Sequence, residues 1–152
     1  MQRGLEEALL ERRDTPGNLP RAETAFKEAL RLYPPVIILA RRALEPVTLG
    51  GFELPAHTLV MVSPYTIHFH PAAWPDPDRF DPDRFLPAQE ATRPKSAWLP
   101  FGLGPRVCIG NSFAMMEAHL MLVMIAQRYQ LRLSPGQVVK PDPLLTMKPK
   151  GG

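Results

Sequence analysis

Phe101-Gly102-Leu103-Gly104-Pro105-Arg106-Val107-Cys108-Ile109-Gly110 holds the only cysteine of the 152 residues and runs directly into a long apolar stretch. A single cysteine excludes an internal disulfide and a multi-cysteine zinc site. Three readings remain: an inert core thiol, a catalytic nucleophile or a lone metal ligand. Residues 111–129, with Phe113, Ala114, Met115, Met116 and the run 120–126, are apolar nearly all round, which predicts a long buried helix. A helix N-terminus offers unpaired amides and partial positive charge, and both favour a thiolate over a thiol. Gly104 and Gly110 supply backbone angles closed to other residues and would let a large flat ligand approach. Arg106, two residues before Cys108, presents a guanidinium fork suited to a carboxylate. Taken singly, these residues have plainer readings: a lone cysteine is more often a small buried apolar residue, and Arg106 alone is as readily a loop-solvating side chain.

Upstream of the loop the chain is crowded with proline, which accounts for 19 residues and concentrates between Pro71 and Pro105. The stretch from Pro64 to Pro105 therefore predicts a long irregular crossing with little helix or sheet. Before it, residues 58–63 and 36–40 read as strands, the second apolar and buried, and residues 47–54 form a hairpin around Gly50-Gly51. Ala22, Ala25, Phe26, Ala29, Leu30 and Tyr33 share one helical face, and Pro34-Pro35 stops that helix. A short amphipathic helix is expected over residues 2–13, and a small sheet with its turns after residue 130.

Composition sets broad limits. Hydrophobic residues make up 45% and charged residues 22%, as in an ordinary globular chain. The net charge of +3 is small and dispersed, so nucleic acid is not an expected partner. The N-terminal residues are charged throughout and no run reaches the length of a membrane span, so a soluble, cytoplasmic chain is the default expectation.

The loop at 101–110 matches F-x-x-G-x-R-x-C-x-G at every fixed position, and by this pattern the chain resembles the cytochrome P-450 family. Glu28-Ala29-Leu30-Arg31 is similar to that family's E-x-x-R helix motif and is followed by Leu32-Tyr33-Pro34-Pro35. Trp74, Pro77, Phe80, Pro82, Arg84 and Phe85 resemble its W-x-x-P-x-x-F-x-P-x-R-F meander. The resemblance runs from about residue 18 onward and implies a mixed α/β, mainly α, fold: E-x-x-R helix, small β-sheet, meander, cysteine-ligand loop and long buried helix. It also implies haem b held through the Cys108 thiolate, with Phe101, Gly104, Arg106 and Gly110 around the cofactor and Arg41 and His68 approaching the propionates. Glu28, Arg31 and Arg84 would form a buried charge network pinning the loop, although Glu28 and Arg31 alone, opposite the apolar stripe, would read as a solvated pair.

Two departures from the family pattern stand at Phe69-His70 and at His57. The family's distal oxygen-activating helix would lie before Met1, so residues 1–152 are expected to be a single partial domain, a fragment poorly active alone. The family reaction is insertion of oxygen, R–H to R–OH. Its electrons come from a ferredoxin, flavodoxin or flavoprotein reductase. The apolar stretches at residues 36–39 and 144–147 match family segments that line the substrate pocket, which suggests a small apolar organic substrate, although plain core packing accounts for them equally well. Two alternatives stay open: one half of a split monooxygenase completed by a missing N-terminal half, and a non-catalytic haem-binding or sensing module.

Overall fold

The computed structural model describes residues 18–132, 134–143 and 146–150. The helix expected over residues 2–13 lies outside them, as do Leu144 and Leu145.

Helix α1 spans Asn18–Leu32. It ends where Tyr33 makes the last backbone bond, to the Ala29 carbonyl at 2.8 Å, because Pro34 has no amide to continue the ladder. Ala22, Ala25, Leu30 and Leu32 are buried, but so are Thr24, Glu28 and Arg31. α1 is therefore covered on more than its apolar stripe, by the meander on one side and by the later long helix on another.

Strands β1 (Leu39–Arg42), β2 (Val47–Leu49), β3 (Phe52–Leu54) and β4 (Leu59–Val62) follow. β1 pairs antiparallel with β4, Leu39 opposite Val62 and Arg42 opposite Leu59. β2 pairs with β3 across Gly50 and Gly51, whose φ values of +60° and +85° are those of a primed hairpin turn. The strand expected at residues 36–40 instead begins at Leu39, and its last three residues are exposed rather than buried. The cause lies in the pairing: β1 and β4 form a two-stranded ribbon with no further strand beside it among the described residues. His57, at a position flagged as a departure, takes a left-handed φ of 67° and donates its amide to the Ala43 carbonyl at 2.8 Å.

The crossing is largely irregular, as its prolines predict, but it contains short turns that prolines start. Ser63 caps α2 (Pro64–His68) by accepting from the Thr66 amide. Asp81 caps a 3-10 turn over Pro82–Phe85 in the same way, and Pro87 opens α3 (Pro87–Glu90). Proline at the first position of a helix lacks only an amide that would be unpaired anyway.

The long helix α4 spans Asn111–Arg128, where expected, and packs against α1. Its expected burial is corrected. Phe113, Met116, Leu120, Met121 and Met124 are each more than half exposed, and no residue of α4 is buried. A helix apolar on all sides requires cover on all sides, and the described residues supply it chiefly along the flank facing α1. Strands β5 (Pro141–Pro143) and β6 (Met147–Pro149) form a last antiparallel pair, tied back by the Met147 amide to the Pro35 carbonyl at 2.8 Å. No helix among the described residues is long and apolar enough to cross a membrane.

Candidate functional site

Glu28 and Arg31 lie one helical turn apart on α1, which brings their side chains to the same face. Both are 0% exposed. The Arg31 Nε and Nη2 donate to the two Glu28 carboxylate oxygens at 2.7 and 2.9 Å, a bidentate pair that fixes both side chains. Arg31 also donates from Nη1 to the His68 carbonyl (2.8 Å) and from Nη2 to the Arg79 carbonyl (3.2 Å). Glu28 Oε1 accepts in addition from the Asp81 amide at 2.9 Å. One carboxylate thus anchors α1 to the start of the Pro82–Phe85 turn.

Arg84 enters from that turn. Its Nε stands 3.5 Å from Glu28 Oε1 and its Nη2 donates to the Asp76 carbonyl at 2.9 Å. The Nε itself is buried without a hydrogen bond, so its link to Glu28 is an ion pair at longer range. The three residues expected to form a buried charge network are therefore together. Two cations share one buried carboxylate, and carbonyl oxygens and aromatic faces take up the excess positive charge. Trp74, 0% exposed, has the Arg31 guanidinium 5.1 Å from its ring centre and that of Arg93 at 4.0 Å. Arg93 donates to the Ala73 and Arg84 carbonyls, and burial together with the Arg84 charge pulls its pKa below the ordinary value.

Sequence reasoning missed Arg93 and Asp81. Neither stands in a recognisable spacing, and Asp81 contributes through its amide, which no side-chain pattern announces.

From this cluster a line of aromatic contacts leads to the cysteine loop. Trp74 meets Phe85 at 5.7 Å, Phe85 meets Trp98 at 5.5 Å, and Trp98 meets Phe101 edge-on at 6.4 Å. Trp74 Nε1 donates to the Ala97 carbonyl and Trp98 Nε1 to the Lys27 carbonyl, so both rings are also fixed by their polar edges. Phe101 is thus the end of a packed row behind the loop.

The loop itself is turned by backbone bonds. Gly102 donates to the Leu99 carbonyl (3.1 Å), Val107 to the Gly104 carbonyl (3.0 Å) and Cys108 to the Phe101 carbonyl (2.9 Å). Gly102 and Gly104 both take φ of +77°, which favours glycine. Beyond Gly104 the space is open, whereas a Cβ at Gly102 would stand 3.7 Å from Leu39 Cδ1, so the loop lies beside the start of β1. Gly110 does not have the special backbone expected of it. Its φ is −82°, and its relevance is proximity, since a Cβ there would lie 3.7 Å from the Cys108 sulfur. Gly102, a free position of the motif, proves the more constrained glycine.

Cys108 is exposed, three residues before α4 begins. Around it Leu103, Val107 and Ile109 are exposed apolar side chains, with Phe113 in the first turn of the helix. Arg106 is exposed and has no ion-pair partner among the described residues. Arg41 lies on exposed β1 and, among the described residues, donates to the neighbouring Ala40 carbonyl at 2.8 Å.

His68 is placed differently from the expectation. It is 0% exposed, its Nε2 accepts the Leu99 amide at 2.8 Å, and its Nδ1 lies 3.1 Å from the Arg31 carbonyl. An amide donor on Nε2 requires the ring proton on Nδ1, which donates to Arg31. Both nitrogens are committed to backbone, which leaves none for a propionate and corrects that role. Burial lowers its pKa to about 4, with the Arg31 charge acting in the same direction and the Arg31 carbonyl bond opposing it.

The model of the family described as Cytochrome P450 matches residues 7–152. Cyclooctatin synthase of Streptomyces melanosporofaciens is 46% identical over 127 residues, which are 82% of this chain and 27% of that protein. Putative cytochrome P450 132 of Mycobacterium tuberculosis (strain ATCC 25618 / H37Rv) is 41% identical over 139 residues, 91% of this chain and 30% of that one. Among solved structures, the heme domain of cytochrome P450DA superposes with a TM-score of 0.80 at 33% identity, covering 97% of this chain and 34% of that chain. A 6-coordinated cytochrome P450 from Thermus thermophilus gives 0.77 at 36% identity, covering 97% and 38%. The chain therefore spans between about a quarter and two fifths of the length of these proteins. Motif, buried support and these likenesses agree, and the chain belongs to the cytochrome P450 family.

Proposed function

We propose that this chain is the haem-thiolate part of a cytochrome P450 monooxygenase, R–H + O2 + 2 electrons + 2 protons to R–OH + H2O, with Cys108 as the iron ligand. The observation that carries the reading is an exposed thiol on a loop whose Cys108 amide is tied to the Phe101 carbonyl and which is backed by the packed row Trp74, Phe85, Trp98 and Phe101. The donor set suits haem b: a sulfur ligand, exposed apolar side chains at Leu103, Val107, Ile109 and Phe113 for a flat macrocycle, and Arg106, without an ion-pair partner among the described residues, for a propionate carboxylate. Haem iron ligated by a thiolate supplies oxygen activation when bound. Cys108 holds the metal, Gly104 keeps side-chain bulk off the approach, Gly110 leaves room at the sulfur, and Arg106, with Arg41, orients the carboxylates. Phe101 backs the loop through Trp98, and Glu28, Arg31 and Arg84 keep that backing rigid.

The substrate is a small apolar organic molecule, and the electrons come from a ferredoxin, flavodoxin or flavoprotein reductase. Carbon monoxide added to the reduced, haem-supplied chain tests the ligand. A thiolate-type red-shifted Soret band, lost in Cys108→Ser, is the expected result; its absence from the parent chain would overturn it.

The exposed apolar face of α4 favours a particular form of this reading: residues 1–152 are one partial domain, and turnover requires further polypeptide over that face. Substrate oxidation by the purified chain alone would contradict it. Stoichiometric haem without oxidation, even after such a partner is supplied, would favour a binding or sensing module instead.

A further inference from the structure

His68 does not serve the cofactor directly, yet it is among the most completely buried polar side chains and sits between α1 and the segment that leads into the cysteine loop. We propose that His68 is a positioning residue for Cys108, a neutral clasp that holds the loop from behind through the Leu99 amide and releases it when the ring takes up a proton. The bonds form one path: the Arg31 carbonyl to Nδ1 at 3.1 Å, Nε2 to the Leu99 amide at 2.8 Å, the Leu99 carbonyl to the Gly102 amide at 3.1 Å, and the Phe101 carbonyl to the Cys108 amide at 2.9 Å. A single ring thus joins the end of α1 to residues 99–108 by hydrogen bonds to backbone on both sides.

Protonation would place a second N–H against the Leu99 N–H, donor facing donor, and a second cation beside Arg31. The charged group facing the ring from α1 is Arg31, already paired to Glu28. The Leu99 segment brings only its amide, and His70, on the ring's own segment, is exposed and accepts from the Ala72 amide. Among the described residues no carboxylate pairs with the ring to stabilise its charged form, and burial keeps it neutral down to about pH 4. That Cys108 is the functional end of the path rests on the haem-thiolate reading; the clasp does not.

Nuclear magnetic resonance of the haem-free 152-residue chain, labelled with nitrogen-15, separates the two. At pH 7 the expected His68 signal is the Nδ1–H tautomer. The amides of Leu99, Gly102 and Cys108 should exchange about tenfold more slowly in the parent than in His68→Phe, while α1 amides stay unchanged. Acidification to pH 3.5 should remove the loop protection of the parent with a midpoint of about 4. His68→Gln, whose amide oxygen accepts but does not titrate, should keep protection at pH 7 and lose its acid dependence; it also covers failure of the phenylalanine variant to fold. An Nε2–H tautomer, loop protection unchanged in His68→Phe, or the same acid midpoint in His68→Gln would overturn the clasp. Absence of a thiolate-type band in the haem-supplied parent would overturn the haem reading alone.

Discussion

Glu28 and Cys108 belong to one packed scaffold and stand in opposite environments. Glu28 is sealed from water and engages Arg31, Arg84 and the Asp81 amide; Cys108 is exposed, and the helix after it shows apolar side chains to solvent. The closed region satisfies itself, because each charge there meets an opposite charge, a carbonyl or an aromatic face. The open region is held in shape but not used up. Support and chemistry are thus divided between residues far apart in sequence, and substitutions on the two sides should fail in different ways: folding on one, ligand or partner binding on the other.

The largest effect is expected at the sealed end. Glu28→Ala leaves Arg31 and Arg84 buried without a carboxylate, which should cost about 3–5 kcal/mol. Cys108→Ser should change stability by less than about 0.5 kcal/mol and, on the proposed haem-thiolate reading, abolish thiolate ligation. Urea unfolding of both variants tests the contrast. Similar losses of stability would mean that the two regions are not energetically separate.

Acid should act next, and again on the closed side. His68 has its folded pKa lowered from 6.5 to about 4, so the unfolded chain takes up the proton first. Its contribution is fully present above pH 6.5, falls as pH drops from there toward 4, and levels off below. The loss over that window is on the order of 3 kcal/mol, since each tenfold change in proton affinity corresponds to about 1.4 kcal/mol. Stability measured from pH 7 to 4 in parent and His68→Gln checks it, and equal slopes would remove His68 as the cause.

These contrasts also show what was legible in the sequence. The E-x-x-R spacing and the meander located Glu28, Arg31 and Arg84, but the hydrophobic stripe of α1 alone placed the pair on the solvent side. Only cover supplied by residues 76–84, about fifty positions later, makes them buried. His68 was misassigned for the same reason, its partners lying 37 and 31 residues away. The start of α2 was hidden because Pro64 reads as a breaker although Ser63 makes it a first helical residue. Composition showed that α4 calls for cover without showing whether the chain provides it. The cysteine loop was the most legible part, since its bonds are local.

Arg84→Ala should weaken the closed region by about 1–3 kcal/mol, less than Glu28→Ala because Glu28 keeps Arg31 and the Asp81 amide. Thermal unfolding and haem retention should fall together, since the Arg84 turn backs the aromatic row to Phe101. Unchanged stability and haem retention would mean that the 3.5 Å pairing with Glu28 carries nothing.

The smallest effect on stability is expected on the open side. Met121→Lys places a charge on the exposed face of α4, where the present side chain is 54% exposed, so the isolated chain should shift by no more than about 0.5 kcal/mol. If that face is covered by further polypeptide in the working enzyme, the same substitution buries a charge without a partner and should cost several kcal/mol of association. The measurement is a pair: unfolding of the chain alone, and reconstitution of turnover with a supplied N-terminal part. A silent first result with a lost second one identifies α4 as a covered face. Two silent results would make it a solvent face that happens to be apolar, and would leave the division between closed support and open chemistry ending at Cys108.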